Sequence, residues 1–253
     1  MRLHSLAILG LLAGCSLGKG EGAVVGAIEI SGCAKNSDYD DPEFDLGADF
    51  FVGQPNFDPD EDDDVARDSL WIRVQHGGAY EELADTLSIH VIDLDKVREG
   101  VVEEVMADGC QRSKGKDGAD DLPGCVRAEL LMALSCPDAF ENLVAAADLD
   151  VDGNPIPCPA DVDLRRTFAG DFDDPEAFED PFFSGDASDP DALHPSCIVF
   201  ESLGAEYGDE IAAAFHFALR DARRLDGPSE VGGYLRGRFR FDLWRGAGAQ
   251  AYP

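Results

Sequence analysis

Alternating apolar and polar positions recur along the chain and predict β-strands with one buried face. The clearest alternation lies late, at residues 211–221 and 235–244, where phenylalanines stand two positions apart. A helix would scatter these rings around its axis, whereas a strand collects them on one side. Shorter segments with the same tendency lie at residues 24–30, 49–53, 70–75, 86–93, 126–135 and 198–200.

Seven or eight segments of this kind, separated by turns rich in glycine, proline and aspartate, predict an all-β fold. We expect an antiparallel β-sandwich, and the pattern does not distinguish a jelly-roll from an immunoglobulin-like arrangement. One short helix is predicted at residues 95–106, where Gly100 weakens the helical pattern. Residues 23–253 contain no internal repeat and no clear boundary, so we expect a single domain there.

Two long acidic stretches, at residues 58–64 and 170–191, interrupt the strand pattern. Neither has a hydrophobic period, so both are predicted to be mobile loops. The second stretch also contains Phe172, Phe178, Phe182 and Phe183. We therefore expect it to pack at least partly on the body of the domain.

The chain begins with a compact apolar run at residues 6–12, after Arg2 and His4. Such a run is typical of a secretory signal peptide and is far too short to span a bilayer. The motif Leu12-Ala13-Gly14-Cys15 resembles the lipobox of bacterial lipoproteins. This resemblance implies cleavage before Cys15, with acyl chains on its sulfur and its new amino group. The alternative is an ordinary signal peptide followed by a coincidental cysteine.

On the lipoprotein interpretation, residues 1–14 are a signal peptide and residues 15–22 a lipidated tether. One acyl chain binds a membrane only marginally, whereas two or more make the attachment stable. No later apolar run approaches the roughly 20 residues of a transmembrane helix. Ser16 stands where many lipoproteins of the inner membrane carry an aspartate, so the resemblance favours the outer membrane of the cell envelope.

The formal net charge of −32 restricts what the protein binds. Such an excess of carboxylates excludes nonspecific binding to nucleic acid, which needs Lys and Arg to neutralise phosphates. It also argues against adhesion to anionic lipid head groups, so a lipid anchor would have to hold the protein at the membrane. Solubility or a salty environment explains the acidity without any site, whereas clustered carboxylates also suit calcium.

Six cysteines remain once Cys15 is set aside, namely Cys33, Cys110, Cys125, Cys136, Cys158 and Cys197. An even number in an exported chain predicts three disulfides, although the sequence alone does not fix their pairing. Spacing suggests Cys110 with Cys125 across a polar, glycine-rich segment. Pairing Cys136 with Cys158 across another candidate loop would leave Cys33 with Cys197. Zinc is not expected, because no two cysteines have the two-residue gap typical of a zinc site.

The best candidate site is the segment Asp148-Leu149-Asp150-Val151-Asp152-Gly153-Asn154. It resembles the first half of a calcium loop, in which alternating carboxylates precede a glycine that permits a sharp turn. The candidate Ca²⁺ ligands are Asp148, Asp150, Asp152 and Asn154. The closing glutamate of such a loop is replaced by Pro159, although Asp161 and Asp163 lie close. The alternative is a solvated hairpin in which Asp152 and Gly153 form the turn.

No catalytic motif is recognisable, whether a nucleophile elbow, a His-Glu-x-x-His zinc motif or a phosphate-binding glycine loop. The histidines after the signal segment, His76, His90, His194 and His216, are far apart in the sequence. We interpret His90 and His216 as ordinary residues of strand faces. An enzyme is therefore not favoured.

Arginines and aromatic residues provide further candidate contacts. Arg236, Arg238 and Arg240 form a basic row on one predicted strand face, suited to an anion or glycan or to ion pairs with neighbouring strands. The candidate sugar-stacking platforms are Trp71, Tyr234 and Trp244. Solitary aromatic residues of β proteins are, however, usually core or rim residues.

Segments near both ends of the chain share a pattern: Gly26-Ala27-Ile28-Glu29-Ile30 before Cys33, and Leu235-Arg236-Gly237-Arg238-Phe239-Arg240-Phe241 before Arg245-Gly246 and Ala249-Gln250-Ala251-Tyr252-Pro253. Together they resemble exported lipoproteins that are abundant in myxobacteria. The resemblance implies a lipid-anchored β domain and brings no activity or catalytic residues with it. We also expect the first and last strands to be neighbours in one sheet.

The sequence therefore predicts a noncatalytic binding or structural module, anchored by lipid in the cell envelope. Its partners would be the membrane, through the N-terminal lipid, and a protein or glycan ligand. Calcium is the only cofactor that the sequence suggests. The alternatives are a surface hydrolase that uses aspartates and a structural subunit of a surface assembly.

Overall fold

The computed structural model describes residues 19–28, 44–56, 69–76, 84–107, 126–133, 142–186, 189, 192–221 and 231–243. Its strands are β1 (Gly20–Ile28), β2 (Phe44–Asp45), β3 (Phe50–Asn56), β4 (Ser69–Gln75), β5 (Asp85–Val91), β6 (Val102–Glu104), β7 (Val126–Met132), β8 (Asn142–Ala145), β9 (Ser196–Leu203), β10 (Glu210–Asp221) and β11 (Val231–Asp242). Two short helical turns, α1 (Leu164–Thr167) and η1 (Pro175–Ala177), lie between β8 and β9. The sequence features outside these ranges are residues 1–18, the acidic stretch 58–64, Cys33, Cys110, Cys125, Cys136 and Trp244.

The strands form one antiparallel sheet in the order β2-β1-β11-β10-β8-β7-β5-β4-β3. Strand β10 is long enough to pair with β11 along one edge and with both β9 and β8 along the other. Strand β6 extends the sheet beyond β9. Strands β2 and β3 stand at opposite ends of this order, yet only residues 46–49 separate them in the chain. The sheet must therefore curl until its two ends meet.

The core lies inside this curl and is built from alternate residues of each strand. Along β10 the inward side chains include Phe215, Phe217 and Leu219, all fully buried. Phe51 of β3 stacks on Phe241 of β11 with 6.3 Å between the ring centroids, which closes the curl. Because successive side chains of a strand point to opposite faces, the residues between these belong to an outer face.

Part of the outer face is covered by residues 158–183, which we call the strap. Its buried rings, Phe168, Phe172, Phe178 and Phe182, pack with Val199, Ala212 and Ala214 of β9 and β10. The alanines leave room for these rings, so a second hydrophobic cluster forms on the far side of the sheet from the core. A disulfide between Cys158 and Cys197 joins the beginning of the strap to β9.

The structure confirms the predicted all-β, antiparallel class and the main strands. Strands β1 and β11 pair along nine residues, as expected from the matching segments at the two ends of the chain. The phenylalanines of the second acidic stretch pack on the body, as predicted. Strand β1 begins at Gly20, so residues 20–22, which were predicted to be part of a tether over residues 15–22, belong to the sheet.

Two sequence-based predictions are wrong. Residues 95–106 do not form a helix, because Gly100 has a φ of +74° and Val102–Glu104 pair with β9 as strand β6. The suggested disulfides Cys136–Cys158 and Cys33–Cys197 are also wrong, because Cys158 and Cys197 join each other. Within the described part of the chain, no helix is long and apolar enough to cross a membrane.

Candidate functional site

The predicted calcium loop forms a hairpin whose first two aspartates point to different partners. The Asp148 carboxylate is buried, where its Oδ2 accepts the His194 N–H at 2.8 Å and its Oδ1 lies 3.5 Å from the Arg220 guanidinium. Burial raises the pKa of Asp148, although the His194 N–H and Arg220 both lower it. Asp148 therefore links the hairpin to β10 and to the segment before β9.

Asp150 instead closes the turn of this hairpin. Its Oδ1 accepts the backbone N–H groups of Asp152 and Asn154 at 2.9 and 2.8 Å. The hydrogen bonds from Asn154 are the main cause that lowers the pKa of Asp150. Gly153 has a φ of +82°, which suits a tight turn. Among the described residues there is no group of three or more His, Cys, Asp or Glu side chains placed to hold a metal. Calcium binding at Asp148, Asp150, Asp152 and Asn154 stays a prediction from spacing.

Two members of the basic row of β11, Arg238 and Arg240, bind groups within the protein. The Arg240 guanidinium lies 2.9 Å from Glu201 and 3.5 Å from Glu210, so the predicted ion pairs with neighbouring strands form here. Arg238 is fully buried beneath the strap. Its guanidinium donates to the carbonyl oxygens of Thr167 and Ala169 at 3.1 and 2.6 Å, and also to that of Asp171.

Arg238 therefore acts as a clamp on the middle of the strap. Its guanidinium also lies 4.6 Å from the centroid of the Phe172 ring, a cation–π contact. Burial lowers the pKa of Arg238, whereas the nearby carboxylate of Asp171 raises it. This arginine is not available to bind an external anion or glycan.

A buried pair of histidines lies under the C-terminal part of the strap. His216 comes from the outer face of β10 and His194 from the segment before β9, and both are fully buried. His216 Nδ1 donates to Asp180 Oδ2 of the strap at 2.5 Å. On its other side, His216 Nε2 lies 3.0 Å from His194 Nδ1. The three groups form one hydrogen-bonded chain. We call His194 and His216 the histidine pair.

Aromatic rings enclose the histidine pair. The Tyr234 ring of β11 stacks on both imidazoles, with centroid distances of 4.7 Å to His194 and 5.6 Å to His216. Phe183 of the strap covers them from outside, 4.5 Å from His194. Tyr234 is thus a buried residue, and the sugar-stacking role considered for it is not available in this structure.

The spacing of the two imidazoles restricts their protonation. The 3.0 Å gap between His216 Nε2 and His194 Nδ1 holds one hydrogen, so the intact pair carries at most one positive charge. Burial, followed by the charge of His216, lowers the pKa of His194 to about 4. Within the described part of the chain, His194 Nε2 is buried without a hydrogen-bond partner.

Sequence analysis missed this cluster because its members come from three separate segments. His216 does lie on a strand face, as predicted, but nothing in the sequence spacing of Asp180, His194 and His216 indicates that they are in contact. The arrangement resembles a proton relay in its order of groups. Solvent and substrates do not reach either imidazole while the strap is in place. The effect of this cluster in the structure is therefore to hold the strap.

A second cluster lies on the outer face of β4, β5 and β7, where Trp71, His90 and Arg127 stand side by side on the three strands. We call it the aromatic patch. Trp71 is 49% exposed, and its indole stacks on His90 with 4.0 Å between centroids. Burial, followed by the charge of Arg127, lowers the pKa of His90 to about 4. Arg127 in turn lies 3.0 Å from Glu129.

A cavity of about 320 Å³ lies where the strap meets β1 and the segment between β2 and β3. The carboxylates of Asp45, Asp49 and Asp173 line it. Asp173 Oδ1 accepts the Gly22 N–H at 2.9 Å, which ties the strap to β1. This cavity has the volume of a small-ligand pocket, but its walls are mostly glycine, alanine and acidic side chains.

The fold and these clusters define an antiparallel all-β protein whose outer face is covered on one side by an acidic strap and carries an exposed tryptophan on the other. No family model, curated protein or solved structure matches the chain. Its function is therefore argued from the chemistry of the described residues.

Proposed function

We propose that the protein is a noncatalytic binding module of the cell envelope, anchored by lipid at Cys15, and that the aromatic patch contacts its ligand. The observation that carries this proposal is the position of Trp71. Its indole is half exposed on a regular strand and is held by stacking on His90. A rigid aromatic side chain of this kind provides contact area at little cost in conformational entropy.

A neutral glycan is the ligand class that this patch suits best. The indole face carries the negative side of the ring quadrupole, which attracts the C–H groups of a sugar ring. Arg127 and Glu129 lie on the strand next to His90 and offer hydrogen-bond partners for hydroxyl groups. The formal net charge of −32 disfavours a polyanionic ligand.

The burial of the histidine pair supports a noncatalytic role over the alternative of a hydrolase that uses aspartates. Asp180, His194 and His216 are the described groups that most resemble acid–base machinery. They are closed off by Phe183 and Tyr234, so a substrate has no access to them in this conformation.

The proposed anchoring at Cys15 rests on the resemblance to a lipobox. The position at which β1 begins then limits how far the sheet can lie from the membrane. Cys15 precedes Gly20 by five residues, which span at most roughly 17 Å when extended. A lipid on Cys15 would therefore hold the sheet close to the membrane surface.

The binding proposal is tested with the mature chain carrying Cys15→Ser, titrated with a panel of soluble neutral polysaccharides. Trp71→Ala is expected to weaken binding about tenfold or more, because the stacking surface is lost. Tyr207→Ala is the matched control, since Tyr207 is 48% exposed and lies between β9 and β10. Equal affinities of the two variants, or no binding by the parent chain, would reject the aromatic patch as a glycan surface.

The anchoring proposal needs a separate experiment in a bacterial host. Cells expressing the parent chain or Cys15→Ala are fractionated, and the protein is followed in membrane and soluble fractions. We expect the parent in the membrane fraction with an acylated N-terminal peptide by mass spectrometry. An unmodified Cys15 in the mature protein would contradict the proposal.

A further inference from the structure

We infer that the histidine pair is an acid-sensitive latch: uptake of a second proton by the pair releases residues 178–183 of the strap from β10 and β11, while the rest of the strap stays bound. The latch is distinct from the aromatic patch and does not depend on the proposed ligand. It rests on where the pair lies, on the spacing of its nitrogens and on what holds each part of the strap.

The strap is fastened differently along its length. Its beginning is joined to β9 by the Cys158–Cys197 disulfide. Its middle is held by Arg238, whose guanidinium binds the carbonyl oxygens of residues 167, 169 and 171. Neither contact involves a group that titrates between pH 4 and 7. Acid therefore leaves these two fastenings in place.

The C-terminal part of the strap depends on the histidine pair instead. Asp180 binds His216 directly, and Phe183 packs on both imidazoles. Phe178 and Phe182 add apolar contacts with the outer face. The polar attachment of residues 178–183 to β10 thus passes through one imidazole that is itself bound to a second one. The ion pair between Arg166 and Glu179 joins this segment only to the middle of the strap.

A second proton is strongly disfavoured in the intact pair. With one proton in excess, His216 donates to Asp180 and shares one hydrogen with His194. A further proton would leave an N–H on both nitrogens that face each other at 3.0 Å, and would place two positive charges in a buried site. Separation of the imidazoles removes this conflict, and His216 and Phe183 then move from their present packing.

The charged groups around the pair come from every element packed against it. Asp180 of the strap favours one positive charge on the pair, and Asp186 lies nearby beyond the strap. Asp148 faces the pair from the hairpin after β8, but its carboxylate is shared with Arg220 of β10. On β11, the positive charge of Arg236 lies near Tyr234 and acts to lower the pKa of that phenol, which burial raises. Asp180 bonds to the pair directly, and its one negative charge offsets one added proton and not two.

Linkage then sets the pH range of the latch. An exposed histidine has a pKa near 6.5, whereas burial and His216 lower the pKa of His194 to about 4 in the closed state. The open state therefore binds the second proton more readily than the closed state between these values. The open population is expected to rise about tenfold for each unit by which the pH falls.

The test is hydrogen exchange of the full mature chain with Cys15→Ser, followed by mass spectrometry from pH 6.5 to pH 4.5. Exchange times are scaled to the intrinsic rate at each pH. We expect protection of residues 178–183 to fall about tenfold per pH unit and to stay well below that of residues 164–171 and of strands β4 and β5, which remain protected throughout this range. Unchanged protection of residues 178–183 across this range would overturn the latch.

His194→Asn is the decisive variant, because an amide at the Nδ1 position still bonds to His216 Nε2 and takes up no proton. We expect the pH dependence at residues 178–183 to disappear in this variant. His90→Asn is the matched control, since the pKa of His90 is likewise lowered to about 4 but His90 lies on β5, away from the strap. The inference is wrong if His194→Asn keeps the pH dependence or if His90→Asn abolishes it.

A second variant covers the case in which His194→Asn does not fold. Asp180→Asn removes the carboxylate that holds His216, so protection of residues 178–183 should fall at least tenfold already at pH 6.5. Residues 164–171 should be unaffected, because Arg238 still holds them. Full protection of residues 178–183 in Asp180→Asn would contradict the latch.

Discussion

Two regions of the outer face carry a histidine whose pKa is lowered to about 4, yet the two histidines stand in opposite situations. His194 is sealed under the strap, bonded to His216 and stacked on Tyr234. His90 stacks on a half-exposed tryptophan at the patch between β4 and β7. Two histidines with a similar pKa therefore have different surroundings: the strap covers His194, whereas it does not cover the patch that contains His90.

The strap makes this difference because its composition complements the face beneath it. Between residues 158 and 183 it carries eight Asp or Glu and only two Arg. It lies on the side of the sheet that presents Arg220, Arg238 and Arg240. Four phenylalanines supply the apolar contact that such a charged segment would otherwise lack. A stretch that is predicted from sequence to be a mobile loop is thus a covering layer.

The largest effect is expected for the clamp on the strap. Arg238→Met removes the donors to three carbonyl oxygens and should lower the free energy of unfolding by about 3 kcal/mol, because buried acceptors lose their partners. Urea unfolding measures this change. Arg165→Met, at an exposed position of the same strap, should change it by less than about 0.5 kcal/mol. Similar losses in both variants would contradict the clamp.

Acid should weaken the whole fold through His194. The folded pKa of about 4 lies below the unfolded value near 6.5, so the unfolded chain takes the proton first. This contribution to stability is complete above pH 6.5 and is lost as the pH falls to about 4, by about 3 kcal/mol in total. Urea unfolding at pH 7, 5.5 and 4.5 should show a shallower decline for His194→Asn than for the parent. An identical decline would show that His194 is not buried as described.

A smaller effect is expected in the hairpin that carries the calcium-loop sequence. Asp150→Ala should lower the free energy of unfolding by about 1 kcal/mol with chelator present, because two N–H groups of the turn lose their acceptor. Thermal unfolding of both proteins with chelator and with millimolar calcium measures it. An unfolding midpoint that rises with calcium in the parent but not in Asp150→Ala would instead establish the predicted metal site.

The smallest effect on stability is expected at the aromatic patch. Trp71→Ala should cost less than about 1 kcal/mol, because half of the side chain is already exposed. It should nevertheless raise the pKa of His90 from about 4 toward 6.5, since the indole no longer shields that imidazole. A histidine titration by NMR follows this shift, with Tyr207→Ala as the control. An unchanged pKa of His90 would mean that Arg127 and the sheet alone lower it.

Sequence analysis predicted the parts of this structure that depend on neighbouring residues. The alternation in β10 and β11 is long and contains aromatic residues, so it identifies both strands and their buried faces. The pairing of β1 with β11 followed from similar segments at the two ends of the chain. Strands β6 and β8 are too short to show a period, and pairing with β9 overrides the weak helical pattern of residues 95–106.

The candidate sites were harder to predict because they depend on distant contacts. The Cys158–Cys197 disulfide joins the strap to β9, and spacing favoured other partners for both cysteines. Asp148 has the position of a calcium ligand in the sequence, but its carboxylate lies against His194 and Arg220. The histidine pair is created by the path of the strap over β10, which no local pattern specifies.

The most direct test of this division of the outer face is an NMR titration of the mature chain with Cys15→Ser from pH 7 to pH 4. It follows the imidazole signals of His194 and His90 together with the amide signals of Phe178, Phe183 and Ala169. Because both histidines have a pKa of about 4, the titration is repeated with His194→Asn and with His90→Asn. We predict that the amides of Phe178 and Phe183 change together with His194 in the parent and in His90→Asn but stay constant in His194→Asn, while Ala169 stays constant throughout. Strap amides that remain unchanged while His194 titrates, or that still change in His194→Asn, would contradict the account.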